Sequence, residues 1–165
     1  MAGRLVAEPH GQEQRNDQAP TRSYTAFVAA YNLAFAGALL GARLTGRKLP
    51  KPRLDEIALY GVATHKLSRL LTKERVTAPL RAPFAVHQEK GGPAEVEERP
   101  RGSGPRRAIG ELVTCPYCLD QWVASGFAVA SIFAPRATRL TAGVFATVAV
   151  ADFLQIGYRL GQRQL

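Results

Sequence analysis

Cysteine is scarce: only Cys115 and Cys118 occur in 165 residues. Two thiols three positions apart cannot build a disulfide scaffold, so the pair is a redox couple, part of a metal site, or two inert packing residues. Tryptophan occurs once, at Trp122, close behind that pair. No alternation of apolar and polar residues marks a strand, and no segment repeats. The opening residues, Met1 to Gln14, hold no apolar core of the kind a secretory signal needs. Basic and aromatic residues are not mixed over one surface. That excludes a nucleic-acid partner despite the net charge of +9, and leaves the lipid bilayer as the partner such a charge suits.

What the chain does have is segregation. Charge gathers in Met1–Arg22, Arg43–Glu56 and Lys73–Glu111, with long apolar runs between. Tyr24–Ala42 carries no charge; at about 1.5 Å rise per residue it is long enough for a ~30 Å hydrocarbon core. Its Gly37 and Gly41, extended by Ala30, Ala34 and Ala38, form a small-residue stripe that lets another helix approach closely, in a homodimer or in another membrane protein. A basic loop follows, in which Pro50 and Pro52 stop any helix. The second helix is expected over Leu54–Thr72, with Asp55 and Glu56 in its favourable first turn. Its second half is two-faced. Leu67, Leu70 and Leu71 share one side and His65, Lys66 and Arg69 the other, so this helix is a short span with a polar inner end or a helix lying at the interface.

Thr72–Gln88, with two Ala-Pro steps, reads as an ordered loop packed on the helices. Glu89–Arg107 is rich in Glu, Arg, Gly and Pro and reads as a linker without structure. The third helix is expected from Pro116 to Phe133 and the fourth from Leu140 to Arg159, joined by a basic turn over Pro135–Arg139. The expected fold class is therefore all-α: a polytopic membrane protein of three to four helices, about 24–42, 54–72, 116–133 and 140–159, with a long polar loop. Residues 1–22 form a disordered tail, and 23–160 form a helical membrane domain interrupted by a disordered linker at 89–107.

Asp152 sits about 9 Å inside the fourth helix if that helix ends at Tyr158. A carboxylate at that depth is costly and should find a partner. Lys66, Arg69 and His65 lie at depths that bracket it. The expectation is an ion pair of Asp152 with Arg69 or Lys66, His65 hydrogen-bonded nearby, and Asn32 as a further polar neighbour; the bland alternative is a carboxylate that snorkels to the interface.

Three blocks are familiar: Ala63-Thr-His-Lys-Leu-Ser-Arg-Leu70, Val76-Thr-Ala-Pro-Leu-Arg-Ala-Pro-Phe84, and Gly110-Glu-Leu-Val-Thr-Cys-Pro-Tyr-Cys118 with Trp122. In this order they resemble domain of unknown function 1360, a bacterial family of small integral membrane proteins, over roughly Leu54 to Tyr158. The resemblance implies membrane residence and a helical fold, and it implies no activity.

Positive residues favour the cytoplasm. If all four helices span, thirteen basic residues fall on the side of the central loop and seven on the other. Discounting the long linker cuts that margin to one. If the second helix lies at the interface, the basic Arg43–Arg53 loop joins the same inner side. In either arrangement Cys115 and Cys118 start on the cytoplasmic side of a multi-pass protein of the cell membrane. Pro116 suits the first position of a helix, which places Cys115 at the N-cap, where the helix dipole favours a thiolate. Cys-Pro-Tyr-Cys is also the active-site tetrapeptide of dithiol glutaredoxins, although no βαβ pattern surrounds it here. A zinc site would need two ligands beyond this pair, drawn from His65 or His87 or from a second subunit's thiols. In a reducing cytoplasm the plainest account is two small apolar residues packing beside Trp122. No cofactor is expected. The sequence thus points to an accessory or scaffold membrane protein, with a membrane thiol–disulfide oxidoreductase using Cys115 and Cys118 as one alternative and zinc binding as another.

Overall fold

The structure is a computed structural model that describes residues 21–92 and 94–163. Helix α1 runs over Thr21–Leu44 and α2 over Leu54–Thr72. A 3-10 turn at Arg75–Thr77 and a one-turn helix α3 at Ala78–Arg81 lead into strand β1, Ala85–Lys90. Strand β2 follows at Val96–Pro100, then α4 at Gly104–Thr114, α5 at Pro116–Phe133 and α6 at Pro135–Gln162.

Helix α2 is the centre. It packs on α6 and α5 around Ala63, Phe127 and Ala142, with Leu59, Tyr60, Leu67, Val123 and Phe145 closing the cluster. The Tyr60 and Phe127 rings stack at 5.7 Å. Small residues at the contact let the helices approach closely, so few side chains are needed to fill the seam. Helix α1 leans on α5 through polar and aromatic contacts. The Tyr31 hydroxyl lies 2.7 Å from Ser125 Oγ, Gln121 Nε2 donates to that hydroxyl at 2.6 Å, and Trp122 meets the Tyr31 ring edge-on at 5.2 Å.

The ends of the helices are pinned separately. At one end Arg47 donates to the Phe133 carbonyl at 3.0 Å, satisfying the open C-terminus of α5, and its guanidinium lies over the Phe133 ring. At that same end Arg139, near the start of α6, reaches Glu56 in the first turn of α2 at 3.5 Å. The opposite end gathers the C-terminal half of α2, the C-terminal half of α6, and a small cap made of the hairpin and α4.

Two helices are long and apolar enough to cross a membrane, Arg22–Leu44 and Pro135–Gln162. Their outward residues are bare: Leu33 is 74 % exposed and Leu154 69 %. Helices α2 and α5 are not in that class; Lys66 and Arg69 interrupt the first, Asp120 and Gln121 the second.

Three expectations are corrected. The chain is not all-α, because β1 and β2 form an antiparallel two-stranded sheet, paired from Ala85–Pro100 to Lys90–Val96 with an irregularity between His87 and Glu89. The segment 89–107 is not an unstructured linker. It holds the end of β1, all of β2 and the start of α4. Backbone bonds tie this hairpin to the end of α2: Val96 N donates to Lys73 O and Arg75 N to Ala94 O, each at 2.9 Å. The supposed basic turn at Pro135–Arg139 is instead the first turn of α6, since Pro135 opens the helix without wasting a donor. The helix at 54–72 and the helix at 116–133 have the expected limits. The expected tail falls almost wholly on residues 1–20, outside the described ones.

Candidate functional site at the capped end

Two features occupy the capped end: a knot of ion pairs between α2, the cap and α6, and the cysteine pair where α4 meets α5.

The knot begins with Lys66. Its Nζ sits 2.8 Å from Asp152 Oδ2 and also pairs with Glu74, just beyond α2. The lysine side chain is only 12 % exposed, so its charge is held by two carboxylates rather than by water. Arg69, the other candidate partner of Asp152, is engaged elsewhere. Its Nε and Nη2 reach Glu95 Oε1 at 3.1 and 2.5 Å. His65 makes a ring contact, stacking on Phe153 at 6.2 Å, in place of the expected hydrogen bond. Asn32 donates to Val28 O within its own helix and takes no part. The pairing rule read from depth thus finds Lys66, and the structure parts it from Arg69 and His65.

Glu74 and Glu95 were invisible as partners because both lie in segments read as loop or linker. A cavity of about 600 Å³ opens beside these residues, between α2, the cap and α6; Arg159, at the C-terminal end of α6, completes its wall. If the Lys66–Asp152 contact stabilises the bundle, Asp152→Ala and Lys66→Ala should each lower the amount of folded protein, and the double variant should lose less than the sum. Strict additivity in that cycle would show that the contact contributes nothing.

A second knot organises the cap. Arg81 is 2 % exposed. Its Nε donates to Glu98 Oε2 on β2 at 2.5 Å, Nη1 to Leu71 O at 2.8 Å and Thr77 Oγ1 at 2.6 Å, and Nη2 to Glu74 O at 3.1 Å. One guanidinium therefore satisfies carbonyls at the open end of α2 and anchors β2 to it. Sequence reading gave Arg81 no role; the available hint was the alternation Val96-Glu-Glu-Arg-Pro100, which turns Val96 and Glu98 to one face.

At the cysteine pair, α4 ends and α5 starts on the same residue. Cys115 is the N-cap of α5, extended at φ −108° and ψ 108°, and its Sγ accepts the Cys118 backbone N–H at 3.2 Å. Pro116 takes the first helical position, where a missing N–H costs nothing. Both thiols are free. Partial desolvation, and then the neighbouring Cys115 thiol, push Cys118 up to about 11. Cys115, at the N-cap, is the sulfur that faces the open N-terminal N–H groups of α5. Brief treatment with iodoacetamide at pH 7.5, followed by peptide mass spectrometry, should find Cys115 modified well before Cys118; equal rates at the two sites would contradict this. Among the described residues no three His, Cys, Asp or Glu side chains come together as a metal cluster, so neither His65 nor His87 joins the pair. Gly37 and Gly41 lie on an open face of α1, where an added Cβ would meet nothing within 4 Å.

The profile of DUF1360, a protein family of unknown function, matches residues 59–158. The chain belongs to the DUF1360 family. The match takes in most of α2, the cap, the cysteine pair, α5 and most of α6, and it leaves α1 outside. Sporulation protein YjcA of Bacillus subtilis (strain 168) is 31 % identical over 104 residues, covering 60 % of this chain and 86 % of that protein. No solved structure matches. In this DUF1360 chain the family segment therefore holds every residue of both knots, while the small-residue face of α1 lies before it.

Proposed function

We propose that this DUF1360 protein is a multi-pass accessory protein of the bacterial cytoplasmic membrane, a helical scaffold that presents a fixed polar cap at the cytoplasmic face. The observation that supports it is the division of the surface. Helices α1 and α6 turn bare apolar side chains outward along their length. Charged groups lie at the two ends of the bundle, and at the capped end they bind one another. Ion pairs such as Arg81–Glu98 and Lys66–Glu74 hold the cap in one position on α2. A cap held this firmly suits binding a partner protein better than admitting and releasing substrates. The relative named as a sporulation protein makes spore formation the first phenotype to examine where the host forms spores. Membrane fractions washed with alkaline carbonate test the core of the reading. The protein should stay in the pellet, and quantitative release into the supernatant would overturn it.

The cysteine geometry favours a second reading, a membrane thiol–disulfide oxidoreductase. Cys115 at a helix N-terminus is placed to attack a substrate disulfide as the thiolate. Cys118, one turn on, would then displace the substrate from the mixed disulfide, leaving Cys115–Cys118 oxidised and the substrate reduced. Cys115→Ser should abolish that exchange if it occurs, and a full biological output from Cys115→Ser would exclude it.

A further inference from the structure

We propose that the 600 Å³ cavity between α2, the cap and α6 binds the headgroup of a zwitterionic aminophospholipid of the phosphatidylethanolamine type. The inference rests on the membrane reading above and goes beyond it.

Charge comes first. The wall carries three carboxylates, Glu74, Glu95 and Asp152, and three cations, Lys66, Arg69 and Arg159. A ligand of one sign meets as much repulsion as attraction there; a ligand carrying both signs can match the wall. The groups are not all spent on one another. Lys66 is shielded between its two carboxylates, but the Asp152 side chain is 46 % exposed and Arg69 40 %. Arg159 has no ion-pair partner among the described residues. A phosphodiester suits the forked donors of Arg159 and Arg69, and a primary ammonium suits Asp152.

Position comes second. From Ala149 to Arg159 the α6 wall rises about 15 Å. It thus reaches from inside the hydrocarbon to the polar boundary, the depth range of a headgroup and its first chain carbons. Phe153 and Ile156 line the same wall and are 60 % and 53 % exposed, so the cavity opens onto an apolar surface on which acyl chains can lie. A soluble metabolite has no use for that surface. Among lipids, phosphatidylglycerol brings the phosphate without the ammonium, and phosphatidylcholine brings a quaternary ammonium with no N–H to give Asp152.

The full-length protein, purified in mild detergent and exchanged into nanodiscs of equimolar phosphatidylethanolamine, phosphatidylglycerol and phosphatidylcholine, tests this by native mass spectrometry of retained lipid. Phosphatidylethanolamine should be enriched roughly tenfold over both others, the effect of one or two charge-assisted contacts. Arg159→Gln and Asp152→Asn should each remove most of that preference, and Arg159→Lys should keep part of it. Arg159 supports no other described residue, so Arg159→Gln should leave the thermal midpoint of the delipidated protein in detergent unchanged. Equal retention of the three lipids, phosphatidylglycerol held as well as phosphatidylethanolamine, or an unaltered preference in Arg159→Gln would each overturn the site. Water-soluble phosphoethanolamine should displace the lipid only at far higher concentration; displacement at matching concentration would mean that the apolar wall is no part of it. Loss of headgroup preference in a protein that still resists carbonate refutes the lipid site alone, whereas release by carbonate refutes the membrane reading itself.

Discussion

Arg81→Met should detach the hairpin from the end of α2. The substitution keeps an unbranched apolar stem but removes every donor of the guanidinium. Glu98, whose side chain is 5 % exposed, is then a buried carboxylate with its ion partner gone, and the carbonyls of Leu71 and Glu74 lose the donor that satisfied them. Breaking a buried pair from one side costs about 3–5 kcal/mol, enough to populate the open cap. The expected result is rapid proteolysis between Ala85 and Arg101 while the long helices stay resistant, because α1 and α6 do not depend on Arg81. Arg81→Lys should fail to rescue: an ammonium cannot reach Glu98, Leu71, Thr77 and Glu74 together from one fork. Adding Glu98→Leu to Arg81→Met should recover part of the loss, since an apolar pair leaves no charge stranded. Wild-type resistance to protease in Arg81→Met would show that the cap is held by other contacts.

Gly110→Ala should be nearly as damaging, for a steric reason. Gly110 lies in α4, and a Cβ there would stand 2.5 Å from the Phe84 carbonyl oxygen and 3.1 Å from Pro100 Cβ. The first of these is backbone and cannot swing aside. That same carbonyl accepts the Arg101 N–H at 2.8 Å, so pushing it away also breaks the link that closes the hairpin. Overpacking of this kind costs roughly 1–3 kcal/mol and shifts backbone. Thermal unfolding of the purified protein should fall by several degrees in Gly110→Ala, while Gly37→Ala on the open face of α1 should leave the isolated protein unchanged. A Gly110→Ala variant as stable as wild type would contradict the close packing of α4 on the hairpin.

The parts of this fold that were legible in the sequence are those whose cause is local. Asp55 and Glu56 mark the first turn of α2, and Pro116 behind an N-cap cysteine marks the start of α5; both helices have their expected limits. The hairpin was not legible because its inward face holds a charge. In Val96-Glu-Glu-Arg-Pro100 the second inward residue is Glu98, acceptable there only because Arg81, from a segment seventeen positions earlier, lies against it. Pattern rules count an inward Glu as evidence against a strand. Helix α4 was hidden in the same way by Gly104, Pro105, Arg106 and Arg107, a composition that reads as loop until Ala108 and Gly110 are seen packed inside. At the candidate site, depth matching brought Lys66 to Asp152. It could not separate Lys66 from Arg69, because the carboxylate that claims Arg69 is Glu95, in the segment dismissed as linker. The local geometry at Cys115 and Pro116 was readable from the residues themselves, since an N-cap is set within one turn.

Single introduced cysteines in a Cys115→Ser, Cys118→Ser background, probed with a membrane-impermeant maleimide on sealed vesicles of known orientation, test the proposed membrane bundle and its proposed cytoplasmic cap most directly. Arg99→Cys, exposed on β2, should label only from the cytoplasmic side. Lys51→Cys, in the exposed loop between α1 and α2, should label only from the other side, and Leu33→Cys, on the bare face of α1, from neither. Labelling of Arg99→Cys and Lys51→Cys from the same side, or ready labelling of Leu33→Cys in intact vesicles, would contradict it.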